Sequence, residues 1–177
     1  MPAVIDNGFK LSESVAIYHY LGRKEIIPQR WYPSENLKKM TRIDEYLQWQ
    51  HNNLFIAAGM LFIKIWVVPF STGVKPSTKE IEIQKRVLIK TIDDLETVWL
   101  HDSKFLTGNE VTFADLMAIS SLEQVIGLKL FQLDALKYPK VTLWMDDVRQ
   151  YFGPPFKHAH EFVYRYGERS LEAMQAK

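Results

Sequence analysis

The sequence predicts a mainly α protein: a β-hairpin and one short helix, then an all-helical bundle of about five helices. Three observations predict it. Asn7-Gly8 stands between two short apolar runs at the start of the chain. From Ser34 onward, apolar residues recur mostly at three- and four-residue steps. Val111-Thr112-Phe113-Ala114-Asp115 has the spacing of a helix cap ahead of a strongly apolar segment.

Ala3-Val4-Ile5, Asp6-Asn7-Gly8 and Phe9-Lys10-Leu11 read as strand, turn and strand. Asn-Gly tolerates the positive φ that a type I′ turn needs at both central positions. Two short strands are marginal on their own, so the expectation is a sheet of which these residues are only a part. Ser12 is expected as the cap of the next helix, with Glu13 in its first turn, where a negative charge suits the helix dipole. Val15, Ile17, Tyr18 and Leu21 form the helix's apolar side, which ends near Gly22-Arg23-Lys24. Glu25 to Pro33, with Pro28 and Pro33, reads as a linker. It separates an expected unit over 1–28 from a second over 34–177.

Leu37, Met40, Asp44, Leu47, His51, Leu54, Ala58, Leu61 and Ile65 predict one long helix, or two in line, stopping near Pro69. Ser71 to Ser77 is expected as a loop. Ile81, Leu88, Ile92, Leu95 and Trp99 mark a second long helix, packed antiparallel to the first and carrying Glu82 and Arg86 as an i,i+4 pair. Thr112 and Asp115 form the capping box, with Val111 and Leu116 as its hydrophobic staple. The helix behind it is apolar on most sides and is expected at the centre. Two further helices follow, near Pro139 to Tyr151 and Pro155 to Tyr166, then a weaker helix or tail.

Composition narrows the function classes. The chain has 177 residues, 47% hydrophobic and 24% charged, which suits a folded globular protein. Its 22 Lys+Arg against 21 Asp+Glu leave a net charge of +1, so no sequence-wide case for nucleic-acid binding arises. Zero Cys excludes disulfides, thiolate metal sites and thiol nucleophiles, and fits a reducing compartment. The N-terminus lacks the basic and apolar regions of a signal peptide. The apolar stretches are broken by Lys64 and Pro69 and are expected to be too short to span a bilayer.

No phosphate loop, dinucleotide glycine signature or paired-His metal motif is present. His158 and His160, two apart on a helix, point away from each other. His51 lies on the apolar stripe and reads as a hydrogen-bonded core histidine, with a place in a ligand pocket as the other reading. A hairpin feeding a helix at Glu13-Ser14 offers amides and a hydroxyl for an anionic group and a carboxylate for an ammonium. Together these could hold a zwitterionic amino-acid end. The other reading is an ordinary helix start. Arg42, Asp44 and Glu45 read as a surface charge cluster or a partner contact. Trp31-Tyr32 is expected to anchor the linker on the bundle. Trp49, Trp66, Trp99 and Trp144 read as core or half-exposed.

At these residues a resemblance can be stated. The run from Met1 through Ile17 resembles the second half of the glutathione-binding domain of cytosolic glutathione transferases. Trp31-Tyr32-Pro33 and the run from Arg42 to His51 look like the theta class. Phe105-Leu106-Thr107-Gly108 with Val111 to Leu116 is similar to the capping-box segment of the family's helical domain. Together these cover nearly the whole chain.

The resemblance implies an all-helical glutathione-transferase C-terminal bundle preceded by the β-β-α half of a thioredoxin-like domain. It implies Pro2 as a cis-proline beside the glutathione backbone, with Met1 pairing through its main chain to the cysteinyl part. Glu13 and Ser14 would hold the γ-glutamyl end, with Asn52 and Asn53 near it. Phe55, Gly59, Phe62 and Ile63 would face the electrophile, and Thr112 and Asp115 would serve folding. The family's theta-class catalytic serine lies in a preceding β-α-β segment that these residues do not match, so no catalytic residue is expected here. The implied activity is conjugation of glutathione to small electrophiles in detoxification, with glutathione as co-substrate, no metal and no further cofactor. A cytoplasmic homodimer, without nucleic acid or membrane, is the expected setting. A noncatalytic helical interaction domain, of the kind fused to translation factors and synthetases, is the alternative.

Overall fold

The computed structural model describes residues 2–175, with side-chain burial described through Glu168. The hairpin forms where the Asn-Gly turn places it. Strand β1 (Ala3–Asp6) pairs antiparallel with β2 (Phe9–Ser12), Val4 opposite Leu11 and Asp6 opposite Phe9. Asn7 and Gly8 have φ of 49° and 87°, as that turn requires. Helix α1 (Ser14–Arg23) packs back on both strands. Asp6 ties hairpin to helix: its carboxylate pairs with Lys24 and accepts from the Tyr20 hydroxyl at 2.6 Å. The Lys24 ammonium and then the Tyr20 hydroxyl hold that carboxyl below its ordinary value.

Ser12 is not the helix cap. It ends β2, and Glu13 is the residue before the helix, with no side-chain capping bond. The hairpin pairing extends to Ala3 opposite Ser12, so Ser12 is held in the strand.

The first long helical run is three helices nearly in line. Helix α2 (Leu37–Asn52) starts at Asn36, whose side chain accepts from the Lys39 amide at 3.1 Å. Asn53 breaks it with φ −121° and ψ −82°. Helix α3 (Leu54–Phe62) passes into a π-helical turn over Ile63–Val67 and then α4 (Val68–Thr72). Pro69 therefore does not stop the run. The wider π turn lies where a proline ring would otherwise meet a carbonyl four residues back, and relieves that clash. The helix ends instead at Gly73, whose left-handed φ of 72° lets the chain turn away, so Ser71 and Thr72 are helical.

Helix α5 (Thr78–Asp94) begins with a second capping box, Ser77 with Glu80, and closes in a π turn over Leu95–Trp99. Its Glu82 pairs with Lys85 at 3.9 Å rather than with Arg86. Helices α6 (Phe113–Gly127), α7 (Pro139–Phe152) and α8 (Pro154–Gln175) complete the bundle. The core lies where α3 packs on α5 and α6: Leu54, Ala58, Leu61, Leu88, Ile92, Ile119 and Leu122 are sealed there.

Leu37–Thr72 is long and apolar enough, by length and composition, to cross a membrane. This corrects the expectation that the apolar stretches are too short. One face of the run carries Leu54, Ala57, Ala58 and Leu61 into the core shared with α5 and α6.

Two carboxylates are buried in α6. Asp115 closes the capping box by accepting from the Thr112 amide at 2.8 Å. It also accepts from the Leu106 amide at 3.0 Å and the Trp144 indole at 2.9 Å. Burial pushes its carboxyl above the ordinary value, against the pull of these donors. Glu123 accepts from Arg149 Nε at 2.6 Å and from the Tyr164 hydroxyl at 2.9 Å, which joins α6, α7 and α8.

The linker is anchored as expected. Trp31 packs on Phe152 with ring centroids 5.4 Å apart. Tyr32 is buried over Gly22, where a Cβ would run into its ring. Tyr18 stacks flat on Phe113 at 4.3 Å and donates to the Trp31 carbonyl at 2.7 Å, so α1 is clamped to both linker and bundle.

Candidate functional site

The hairpin turns the chain so that Pro2 and the start of α1 stand over the C-terminal half of α2. Between them opens a cleft of about 710 Å³. Pro2, Glu13, Ser14 and Val15 line one side; Leu47, Gln48, Gln50, His51, Phe55 and Met117 line the other. Such a volume falls within the ordinary range of small-molecule sites.

Glu13 is placed by its backbone. Its φ of 73° and ψ of 117° are rare for a residue with a Cβ, at a cost of about 1–3 kcal/mol. Its carbonyl accepts from the Ile17 amide at 2.9 Å, so the first helical bond is already made. The amides ahead of that bond have no helical partner, and they carry the positive end of the helix dipole. The cleft wall thus presents a carboxylate, a hydroxyl and a helix start.

The structure brings Pro2, Glu13, Ser14 and Phe55 to this one cleft. Met1 lies outside the described residues, and so does the Met1–Pro2 bond. Asn52 spends its amide on the Gln48 carbonyl at 3.1 Å, and Asn53 spends its own on the Trp49 carbonyl at 2.7 Å. Gly59 is open, with nothing near the position of a Cβ. Ile63 is partly exposed, whereas Phe62 packs on the core and on Trp66 at 5.4 Å. Thr112 and Asp115 hold the start of α6. Arg42 pairs with Glu45, and Asp44 reaches across to His19 at 3.3 Å.

His51 is not a core histidine. It is exposed and stacked parallel on Phe55, with ring centroids 5.9 Å apart. The buried face of α2 is Ile43, Tyr46, Leu47 and Gln50, one residue out of phase with the stripe read through Met40, Asp44, Leu47 and His51. The true phase places Gln50, a sealed polar residue, in the cleft wall. The sequence carries a signal for it: an amide at third- and fourth-residue steps from Tyr46, Leu47 and Leu54. Among the described residues, no group of three or more His, Asp or Glu is arranged to hold a metal ion.

These features define a hairpin–helix unit packed on a helical bundle, with a cleft of mixed polar and apolar lining between them. Comparison with known proteins identifies the kind. Residues 61–151 match the family described as glutathione S-transferase, C-terminal domain. Glutathione S-transferase theta-1 of Gallus gallus is 34% identical over 96% of this chain, and that of Homo sapiens is 34% identical over 92%. The chain spans 64% of the chicken protein's length and 67% of the human one's. The crystal structure of human glutathione transferase theta-2 in complex with glutathione and an unknown ligand superposes with a TM-score of 0.87 at 30% identity, covering 98% of this chain and 70% of that one. The apo form of human glutathione S-transferase T1-1 gives 0.85 at 33% identity, covering 95% and 70%. The chain belongs to the glutathione S-transferase family, and these relatives are of the theta class.

Proposed function

We propose that this chain forms the larger part of a theta-like glutathione transferase and that the cleft takes glutathione. The reading rests on one observation: Glu13 and Ser14, at the start of α1, line the same cleft as Pro2 and Phe55. The Glu13 carboxylate complements the ammonium of the γ-glutamyl end. The Ser14 hydroxyl and the helix-start amides complement its carboxylate. Pro2 and the main chain of Met1 would flank the cysteinyl part, with Asn52 near the γ-glutamyl end. Residues 1–28 then belong to a glutathione-binding domain, and 34–177 form the helical domain.

In the reaction the glutathione thiol gives up its proton to solvent, leaving a thiolate. The sulfur lone pair forms the bond to the electrophilic carbon, and the leaving group departs with its electron pair. The residues assigned here bind and orient; none is assigned the activation of sulfur. Phe55, Gly59, Phe62 and Ile63 lie along α3 and the turn after it, an apolar path for a small electrophile. Two similar human theta-class structures hold, respectively, glutathione with an unknown ligand and the glutathione conjugate of 1-menaphthyl sulfate, which supports both halves of this reading. A cytosolic homodimer is the proposed setting. The exposed apolar side chains of α3 to α5, among them Met60, Val67, Phe70 and Val87, give such a dimer a surface.

The test is retention of the chain on immobilised glutathione and its loss in Glu13→Ala. Binding that survives Glu13→Ala, or no retention of the parent, overturns the assignment. Conjugation by the 177 residues alone is expected to be far slower than by full-length relatives.

A further inference from the structure

Gln50 is 2% exposed, yet its Oε1 has no hydrogen-bond partner among the described residues. Buried polar atoms are nearly always paired, and an orphaned acceptor gives up its hydration with no return. This one belongs to a side chain in the cleft wall, in company with Glu13 and Ser14 opposite and His51 and Phe55 on its own side. The backbone supplies no reason for it. Gln50 lies inside α2 between Leu47 and Leu54, where a leucine of similar volume would seal as well without stranding an amide. The Tyr46 hydroxyl one turn back is also buried and unpaired among the described residues, so it does not supply the missing bond, but unlike Gln50 it does not line the cleft.

We infer that Gln50 is a ligand-binding residue of this cleft, its carboxamide completing hydrogen bonds only when a γ-glutamyl peptide is bound. The inference rests on the glutathione reading and deepens it. Glutathione brings an ammonium and two peptide N–H groups, all donors, and needs acceptors to replace the water it leaves. The wall opposite Gln50 has one ionised acceptor, Glu13. A small apolar electrophile brings no such donor, so the carboxamide discriminates for the peptide and not for its reaction partner.

The test compares the wild-type chain with Gln50→Leu and Gln50→Glu, titrated with glutathione and with S-methylglutathione by calorimetry. Thermal unfolding is followed in parallel. Gln50→Leu removes the orphan, so its melting temperature is expected to hold or rise. Its affinity for both peptides is expected to fall roughly tenfold. Gln50→Glu keeps an acceptor and is expected to bind more tightly than Gln50→Leu. Unchanged affinity in a folded Gln50→Leu overturns the inference and leaves the glutathione reading standing. No binding by the wild-type chain overturns both. If Gln50→Leu melts early, the comparison passes to Gln50→Glu against Gln50→Met at a temperature where both are folded. Equal affinities there overturn the inference.

Discussion

The indole nitrogen of Trp144 on α7 donates to Asp115 Oδ1 on α6 at 2.9 Å. The same oxygen accepts from the amide of Leu106, while Oδ2 accepts from the amide and hydroxyl of Thr112. A helix cap, a loop and a neighbouring helix therefore share one buried carboxylate. The capping box is more than a local start signal: it sets where α7 lies against α6 and so shapes the core under the cleft.

Asp115→Ala strands the Leu106 amide, the Thr112 amide and the Trp144 indole in the interior. The expected cost is about 3–5 kcal/mol of unfolding free energy by urea titration. Trp144→Phe removes one donor and some packing while leaving the cap closed, so it should cost less. A cost for Asp115→Ala no greater than that of Trp144→Phe would show that the shared carboxylate is not what holds these elements.

Much of this architecture is legible in the sequence because it is locally encoded. Asn7-Gly8 fixes its turn through backbone freedom, and Thr112 to Asp115 fixes its cap through side chains three residues apart. The misses come from effects beyond a few residues. Pro69 reads as a stop, and the π turn before it cancels the clash. Glu123 looks like any helix-surface acid, and only folding sets Arg149 and Tyr164 against it. Glu13, Ser14 and Pro2 are near neighbours in sequence, so their shared place on one cleft wall is legible there. Gln50 and His51 depend on the rotation of α2. A stripe that mixes apolar and polar residues fits two phases one residue apart, about 100° of helix turn.

Gly22 is the seat of Tyr32. A methyl group there would occupy the space of the ring, which is buried and held between α1 and the linker. Gly22→Ala is expected to cost about 2 kcal/mol or more through overpacking, despite alanine's better helix propensity. Replacing Tyr32 by leucine in the same chain should restore part of the loss. Equal stability of Gly22→Ala and wild type, by chemical denaturation, would show that the ring moves freely.

Tyr164 donates to Glu123 at 2.9 Å. Burial first, and then the Glu123 carboxylate, pushes its phenol up to about 12. The folded value lies above the unfolded one of about 10. The contribution of the neutral phenol is therefore complete below pH ~10 and is lost as pH rises toward ~12. Tyr164→Phe is expected to cost about 1 kcal/mol at pH 8. The gap between the two proteins should close across that alkaline window. Urea titrations at a series of pH values check this; a gap that is constant to pH ~11.5 would place the stabilisation elsewhere.

Glu13 combines a costly backbone with the charge assigned to ligand binding. Its φ of 73° suits glycine, which has no Cβ to clash. Glu13→Gly should therefore relieve strain of about 1–3 kcal/mol. Against that gain stands glycine's extra unfolded-state entropy, about 0.5–1 kcal/mol. The net expectation is a protein as stable as wild type or more so, with a melting temperature raised by a few degrees at most. Glutathione affinity should nevertheless fall, because the carboxylate proposed to face the ammonium is gone. Glu13→Ala removes the charge and keeps the strain, so it should bind as poorly without the gain in stability. The two variants separate the roles: a shared loss of binding with different melting temperatures assigns binding to the carboxylate and strain to the Cβ. If Glu13→Gly melts below Glu13→Ala, the backbone at this position is not strained, and the strain argument for its functional placement fails.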